Sequence, residues 1–156
     1  MTTDPRADQL RVNLLRVRVG GETILVSAAE VRRVIEFSPP HQVPRSRHGL
    51  AGFLFDEGAI IGVADLAGLL FGNPDKSSLL LIAGTPEESV ALPIEAAEGV
   101  EACSLREIVS PSPNMPANQR RFTRALREDG NSTVIVLNSR AIRDYILGRH
   151  QSGVPA

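Results

Sequence analysis

The sequence has little of what most catalytic, metal-binding and membrane-spanning proteins depend on. It contains one cysteine, Cys103, and no tryptophan, so it cannot form an intramolecular disulfide or a zinc site built from cysteines. No apolar run approaches the roughly 20 residues of a membrane-spanning helix. Residues 1–9 are polar and lack the apolar centre of a signal peptide. These absences favour a protein of the reducing cytoplasm, without direct membrane insertion.

An excess of charge of one sign is also missing. The chain carries 17 basic and 18 acidic residues, so its net charge does not direct it to nucleic acid or to an anionic membrane. One basic cluster contains Arg120, Arg121, Arg124 and Arg127, with Phe122 as its single aromatic residue. A small β-barrel that binds single-stranded nucleic acid is therefore the rival interpretation, although that function needs several stacking aromatics.

Motifs for catalysis and for cofactor binding are absent from the sequence. His41 and His48 fall in an expected loop and His150 in the C-terminal tail, without the H-x-x-x-H or H-E-x-x-H spacing of metal ligands. No serine lies in G-x-S-x-G, and neither G-x-G-x-x-G nor a phosphate-binding P-loop occurs. We expect Cys103 to be buried and inert. The sequence predicts a protein that is not an enzyme and needs no cofactor or metal.

The stretch from Gly52 to Leu66 is the most informative part of the chain. Phe53 and Phe55 alternate with smaller residues up to a turn at 56–58, and the apolar run 59–64 predicts the returning strand. Asp65 stands where its side chain can cap the first turn of a helix over 66–70. This segment is thus a predicted hairpin followed by a short helix.

Further strands and short helices are predicted along the rest of the chain. Ser27 with Glu30, and Ser104 with Glu107, have the spacing of a capping box, so each pair predicts the start of a short helix. Asn138 or Ser139 is expected to cap a last helix. The segment 121–127 fits a helix or a strand, and we favour the strand because 133–137 reads as its returning partner. The other predicted strands are 10–19, 23–26, 79–82 and 90–94.

The order of these elements repeats. Residues 10–72 and 76–150 each contain strands, a Ser-x-x-Glu turn, a proline-rich loop, a hairpin and a capped helix. Many short strands at this spacing are typical of small antiparallel barrels, and the repetition indicates an internal duplication. Residues 1–9 and 151–156 lack any periodicity, and we expect them to be flexible, dispensable tails.

The hairpin resembles the G-x-x-x-x-R-G-x-x-x-P-x-x-D-L stretch of the CheW family, the adaptor domain of bacterial chemosensory arrays. Gly52, Gly58, Asp65 and Leu66 fall in register with it, while the chain has Glu57 for the arginine and Gly62 for the proline. The segments 90–100 and 121–126 resemble the corresponding strands of the family. The resemblance covers about residues 10–148. It implies a mainly β fold of two interlocked five-stranded barrels of OB or SH3 type, with strands exchanged between the halves, a few short helices and a C-terminal helix.

The resemblance also implies a function. Such domains are non-catalytic adaptors that link the cytoplasmic tip of a chemoreceptor to the regulatory domain of a CheA-type histidine kinase, in chemotaxis or pilus motility. Two alternatives remain beside nucleic-acid binding: association with other CheW-like domains, and a regulatory role outside receptor arrays. The candidate protein-binding residues are Val31, Arg33, Phe53, Phe55, Glu57, Ile60, Val90, Leu92 and Val100.

Each candidate has a structural alternative. Val31, Ile60, Leu92 and Val100 are equally compatible with the core. For Phe53 and Phe55 we expect one ring to point outwards, on the ground that alternate strand residues face opposite sides. Arg33 aligns with a glutamate of the family and Glu57 with its arginine. These two residues are therefore predicted to form an ion pair of reversed polarity that affects the choice of partner, the alternative being two unrelated solvated side chains.

Overall fold

The structure, a computed structural model, describes residues 10–42 and 47–149. The predicted flexible tails, 1–9 and 151–156, lie outside the described residues. Eleven strands and three short α-helices are present in the described part of the chain. The strands are β1 (Arg11–Val19), β2 (Glu22–Ser27), β3 (Val31–Glu36), β4 (Leu50–Asp56), β5 (Ala59–Ala64), β6 (Leu79–Gly84), β7 (Ser89–Ile94), β8 (Ala96–Ser104), β9 (Ile108–Val109), β10 (Thr123–Asp129) and β11 (Ser132–Leu137). The helices are α1 (Leu66–Phe71), α2 (Ala117–Arg120) and α3 (Ser139–Ile146).

The strands form two sheets, which confirms the prediction of a mainly β fold. The order is β8-β1-β2-β11-β10-β9 in one sheet and β3-β6-β7-β5-β4 in the other. The second sheet has the five strands that were predicted, but the first has six because the two-residue strand β9 adds to β10. Each sheet contains one parallel pair, β2 with β11 and β5 with β7. The two sheets thus share one pairing pattern.

Each sheet takes strands from both sides of residues 72–76. The first part of the chain gives β1 and β2 to the six-stranded sheet and β3, β4 and β5 to the five-stranded sheet. The second part gives β6 and β7 to the five-stranded sheet and its remaining strands to the six-stranded one. We propose 10–72 and 76–150 as the two duplicated units, because each contributes to the sheets in this complementary way.

The buried apolar side chains form three groups, one of which holds the two sheets together. The largest joins both sheets with α1 and α3, and includes Val17, Ile24, Leu92 and Ile142. A second group belongs to the five-stranded sheet alone and a third to the six-stranded sheet, where Cys103 is fully buried as expected. Full burial of a leucine or isoleucine contributes about 1.5–3 kcal/mol, so the central group dominates the stability.

Two of the predicted caps are present at the α-helices. The Asp65 carboxylate accepts a hydrogen bond from the Gly68 amide at the start of α1. Asn138 caps α3 by accepting from the Ala141 amide at 3.0 Å. Ser139 is not the cap; it is buried, and its hydroxyl donates to Glu30. These caps fix where both helices begin, directly after β5 and β11.

The two Ser-x-x-Glu motifs have different outcomes. Ser104 and Glu107 form the predicted capping box around a 3₁₀ turn over Leu105–Glu107. The short helix predicted at Ser27 is present as the 3₁₀ turn Ala28–Glu30, but the Ser27 side chain does not cap it. The Glu30 half of the capping box is absent because the Glu30 carboxylate instead accepts hydrogen bonds from Arg124 at 3.0 Å and from Ser139 at 3.2 Å.

The ambiguous segment 121–127 is mostly strand. β10 begins at Thr123, after the four-residue helix α2, which ends at Arg120. β11 pairs with β10 in antiparallel register, as the strand interpretation required. The preference for a strand is therefore confirmed.

Candidate protein-interaction surface

An apolar strip lies on the outer face of the β4–β5 hairpin and consists of Phe53, Phe55 and Ile60. Phe55 and Ile60 are direct cross-strand partners, and they are 69% and 66% exposed. Phe53 is half-buried two residues before Phe55. Side chains this large are seldom left in water as a contiguous group unless they contact a partner. The strip is thus the candidate docking surface.

The pleat of the hairpin explains why these side chains face outwards. Leu54 lies between Phe53 and Phe55, and its cross-strand partner Ile61 follows Ile60. These two side chains are 7% and 3% exposed, inside the five-stranded sheet. Residues two apart on a strand share a face, so Phe53 and Phe55 lie on the same side. The prediction that one ring points outwards is met by Phe55, but the reason given for it was wrong. The alternation along β4 places Phe53 and Phe55 on one face and Leu54 on the other.

His41 supports the outer edge of the strip. Its amide donates to the Phe53 carbonyl at 2.7 Å, and the Phe53 amide donates to the His41 carbonyl at 2.9 Å. The imidazole meets the Phe55 ring edge-on, with the ring centroids 5.7 Å apart. The segment after β3 is thereby paired with β4, so the two edge strands of the five-stranded sheet are joined at this point.

A cluster of four charged side chains borders the strip at the tip of the hairpin. Arg33 on β3 contacts the Asp56 carboxylate, and its Nη1 lies 3.5 Å from Glu57 Oε1. Arg32 reaches Glu57 at 3.8 Å and donates to Ser89 at 2.9 Å. The Asp56 side chain is 10% exposed and that of Glu57 63%. Arg33 therefore has a buried carboxylate partner in addition to the exposed one that was predicted.

Glu57 occupies an unusual backbone conformation. Its φ is +49°, and that of Gly58 is +81°. Positive φ at both central residues is typical of a type I′ turn, which matches the twist of a two-residue hairpin. A glutamate in this region is strained, because its Cβ approaches the following carbonyl.

The remaining candidates lie away from the strip or inside the protein. Val90 and Leu92 are 2% and 0% exposed, so their assignment as contact residues is wrong. They lie on the face of β7 that packs into the central core, between the two sheets. Val31 is partly buried against that same core. Val100 is 61% exposed, but it lies on β8 of the six-stranded sheet and not on the hairpin.

Three residues of the surface were not among the candidates. His41, Arg32 and Asp56 all contact candidate residues. The Asp56-Glu57-Gly58 sequence was read only as a turn, and nothing in it indicated that Asp56 faces Arg33. His41 follows two prolines in a predicted loop, which carries no strand signal. The contact of Asp56 with Arg33 and the contact of His41 with Phe55 both depend on the curvature of the sheet, which brings β3 near β4.

A second cluster of charges lies on the six-stranded sheet. Arg16 contacts Glu101 at 2.9 Å, and Arg127 contacts both Glu101 and Glu107. The hydrogen bond from Arg127 is the main cause that lowers the pKa of Glu107, helped by the Ser104 amide. Burial raises the pKa of the nearby Cys103 thiol. A thiol whose pKa is raised is a poor nucleophile, so this cluster is structural in character.

The basic cluster of the nucleic-acid interpretation is dispersed. Phe122 is 2% exposed and cannot stack on a base. Arg127 is held among the carboxylates of the six-stranded sheet, and Arg124 pairs with Glu30 at 3.0 Å. These side chains therefore do not line one groove with aromatic platforms, which is what binding of a single strand requires.

Within 10–42 and 47–149, no three His, Cys, Asp or Glu side chains are placed to hold a metal ion. None of the helices in this part of the chain is both long enough and apolar enough to cross a membrane.

Comparison with known proteins assigns the family. The sequence matches the CheW-like domain over residues 13–145. It is 24% identical over 117 residues to a probable chemotaxis protein CheW of Rhizobium etli, covering 72% of this chain and 75% of that protein. The fold is similar to the crystal structure of scaffolding protein TtCheW from Thermoanaerobacter tengcongensis, with a TM-score of 0.74, 16% identity, and 85% and 88% of the two chains covered. The chain therefore belongs to the CheW-like domain family, whose members are non-catalytic scaffold and adaptor proteins of chemotaxis.

Proposed function

We propose that this chain couples the regulatory domain of a CheA-type histidine kinase to the cytoplasmic tip of a chemoreceptor, with the apolar strip as the kinase-binding surface. The observation that carries the proposal is the exposure of Phe55 and Ile60, 69% and 66%, as a directly opposed pair. The proposal includes a cytoplasmic location, since both partners present these parts in the cytoplasm.

The geometry of the strip suits a partner with a complementary apolar edge. Phe55 is a large, rigid anchor whose orientation is fixed by the edge-on contact with His41. Interfaces concentrate their binding energy in a few such anchors, surrounded by polar residues that exclude water. Arg33 and Glu57 supply that polar border at the hairpin tip. A partner that meets both features is recognised by shape and by charge.

Isothermal titration calorimetry with a purified CheA-type regulatory domain tests the proposal. We expect Phe55→Ser and Ile60→Ser each to weaken binding by about 2 kcal/mol, close to thirtyfold in Kd. Leu10→Ser is the matched control, because Leu10 is 53% exposed and lies before β1 rather than on the hairpin. Val100→Ser tests the candidate on β8 in the same assay. Wild-type binding that survives both hairpin substitutions would disprove the role of the strip.

Binding to the receptor and association with a second copy of this protein need separate measurements. A receptor cytoplasmic fragment should bind the preformed complex with the kinase domain, since an adaptor must hold both partners together. Sedimentation velocity on the free protein decides whether the strip binds a second copy instead. A dimer that Phe55→Ser dissociates, combined with no binding to the kinase domain, would replace the coupling role with self-association.

A further inference from the structure

A second surface, at the C-terminal end of α3, is rich in positive charge. We name it the basic face and define it as Arg47, His48, Arg121 and Arg149 around Tyr145. All four basic side chains are exposed. They come from three separate segments of the chain, so only the fold brings them together.

Contacts to Tyr145 and Gly148 fix this arrangement. The Arg121 guanidinium carbon lies 4.5 Å from the centre of the Tyr145 ring. His48 Nδ1 lies 2.9 Å from the Tyr145 hydroxyl oxygen. A Cβ at Gly148 would collide with the Arg47 guanidinium, so that group rests directly on the backbone at the helix end. Arg149 follows, with its amide bonded to the Asp144 carbonyl at 2.6 Å.

The local charge exceeds what the helix end can neutralise. A helix C-terminus carries a partial charge of about −0.5, which is less than the charge of the three arginines. Asp144, the carboxylate in the last turn of α3, shares the Arg143 guanidinium with Glu88, at 2.8 and 2.9 Å, so this group adds one net negative charge against the three arginines. The whole chain has a formal net charge of −1, so the basic face is a local feature.

The basic face is continuous with the apolar strip. A small cleft of about 130 Å³ is lined by Phe53 and Ile60 on the hairpin and by Leu147 and Arg149 at the end of α3. Two carboxylates, Glu87 and Glu88, also line it. A segment that covers the strip therefore reaches the basic face with an uncharged stretch across the cleft, and its carboxylates begin beyond Glu87 and Glu88, at Arg149.

We propose that the basic face binds a carboxylate-rich segment of a protein partner, next to the site where that partner's apolar residues meet the strip. The claim that one partner covers both the strip and the basic face rests on the proposed function. The binding of an acidic segment to the basic face does not. Charge complementarity of this kind mainly raises the rate of encounter and the specificity. It also makes the interaction weaker as the salt concentration rises.

Other anionic partners fit the surface less well. A nucleic-acid strand needs exposed aromatic faces, but one face of Tyr145 is already covered by Arg121 and Phe122 is buried. Insertion of an amphipathic helix into a membrane surface needs an exposed apolar face, and the apolar side of α3, with Ile142 and Ile146, is fully buried in the core.

A fluorescein-labelled octaglutamate peptide tests the proposal by fluorescence anisotropy at low ionic strength. The test variant is Arg47→Glu/Arg149→Glu, and the matched control is Arg11→Glu/Arg140→Glu, which makes the same charge change at exposed arginines of β1 and of the first turn of α3. We expect about tenfold weaker binding for the test variant and little change for the control. Arg47→Gln/Arg149→Gln should show an intermediate loss, and thermal melts confirm that each variant is folded.

The outcomes separate this proposal from the coupling function. Equal octaglutamate binding by the test and control variants would overturn the basic face as an acidic-segment site. So would an oligothymidylate that binds in an Arg47- and Arg149-dependent way while octaglutamate does not bind. If the kinase domain fails to bind even the wild-type protein, the coupling function fails but the octaglutamate result still decides this proposal. If Phe55→Ser abolishes kinase binding and Arg47→Glu/Arg149→Glu leaves it and its salt dependence unchanged, the partner uses the strip alone, and the proposal that it also covers the basic face is wrong.

Discussion

Arg33 and Glu57 face each other between the two edge strands of the five-stranded sheet, with Nη1 and Oε1 3.5 Å apart. Arg33 belongs to β3, and Glu57 lies in the turn that follows β4. Asp56 contacts the same guanidinium and is far less exposed than Glu57, 10% against 63%. Water screens the Glu57 contact more strongly, so Asp56 contributes most of the electrostatic attraction and Glu57 sets the charge that a partner meets.

Charge reversal at these two positions should give unequal single effects. Glu57→Arg replaces two exposed contacts, to Arg32 and Arg33, by like charges and should cost about 1 kcal/mol, because water screens this position. Arg33→Glu places a second carboxylate beside the nearly buried Asp56 and should cost about 2–4 kcal/mol. The double variant should be more stable than the sum of the single effects predicts, by about 0.5–1 kcal/mol, yet less stable than wild type because Asp56 stays repelled. Urea unfolding of all four proteins measures this coupling, and strict additivity would show that the pair contributes nothing.

The same variants address the choice of partner. A kinase regulatory domain adapted to the usual polarity of the family should bind the double variant more tightly than the wild type, because the mismatch of charge is removed. The rate of association should rise more than the rate of dissociation falls, as expected for charges at the border of an interface. Stopped-flow measurements separate the two rates. Unimproved binding would mean that the polarity of the pair does not determine specificity.

Glu57 should be replaceable by asparagine at a lower cost than by alanine. Both substitutions remove the contacts to Arg32 and Arg33, so their difference isolates the effect of the backbone. With φ at +49°, asparagine tolerates the left-handed conformation better than alanine does. We expect Glu57→Asn to be more stable than Glu57→Ala by about 0.5–1 kcal/mol, read from urea midpoints at equal slope. Equal stability of the two variants would contradict a strained turn.

Gly62 should accept alanine but not valine. A Cβ at this position would lie 3.2 Å from Ile146 Cδ1 and 3.5 Å from Leu147 Cδ2, near the ends of flexible side chains. Alanine should change the stability by less than about 1 kcal/mol, while valine should cost about 1–3 kcal/mol because it pushes the end of α3 off β5. Strand propensity alone predicts the opposite order, since valine is the better strand former. Thermal melts of both variants decide between the two expectations.

The stability should depend on Glu107 in a particular range of pH. Its pKa is lowered in the folded protein by the hydrogen bonds from Arg127 and the Ser104 amide. A carboxyl group of this kind stabilises the fold above its unfolded pKa, and the contribution is lost as the pH falls through the lower folded pKa. The gap in melting temperature between wild type and Glu107→Gln should therefore be constant near neutral pH and narrow below about pH 4. A gap that widens in acid would contradict the assignment.

Local elements of the fold could be predicted from the sequence, and the long-range pairing could not. The alternation of apolar residues and the Asp65 and Asn138 caps predicted the hairpins and the starts of α1 and α3. The parallel pairing of Ile24 with Ile135 has no local signal, because it depends on how the two repeats interlock. The missing Glu30 half of the capping box at Ser27 has a similar cause, since the partners of Glu30 lie on distant segments.

The residues of the candidate site show the same difference between local and long-range signals. Phe55 and Ile60 could be found because a polar turn separates two amphipathic strands, so the outward face is defined locally. Val90 and Leu92 were misassigned because both faces of β7 are buried, a pattern that an unbroken apolar run such as 90–94 is typical of. Asp56 and His41 gain their roles only when β3 and β4 approach each other, which no short motif encodes.

The distribution of strands between the sheets also bears on how the chain folds during its synthesis. All five strands of one sheet lie between residues 31 and 94, while the other sheet needs β1 and β2 to pair with strands that follow residue 95. A nascent chain can therefore complete the five-stranded sheet early, with β1 and β2 emerging first but waiting longest for β8 and β11. Contacts of such long sequence separation slow folding. During that wait the apolar faces of β1 and β2 stay uncovered, and a slow or paused ribosome would prolong the period in which this adaptor is most prone to aggregate.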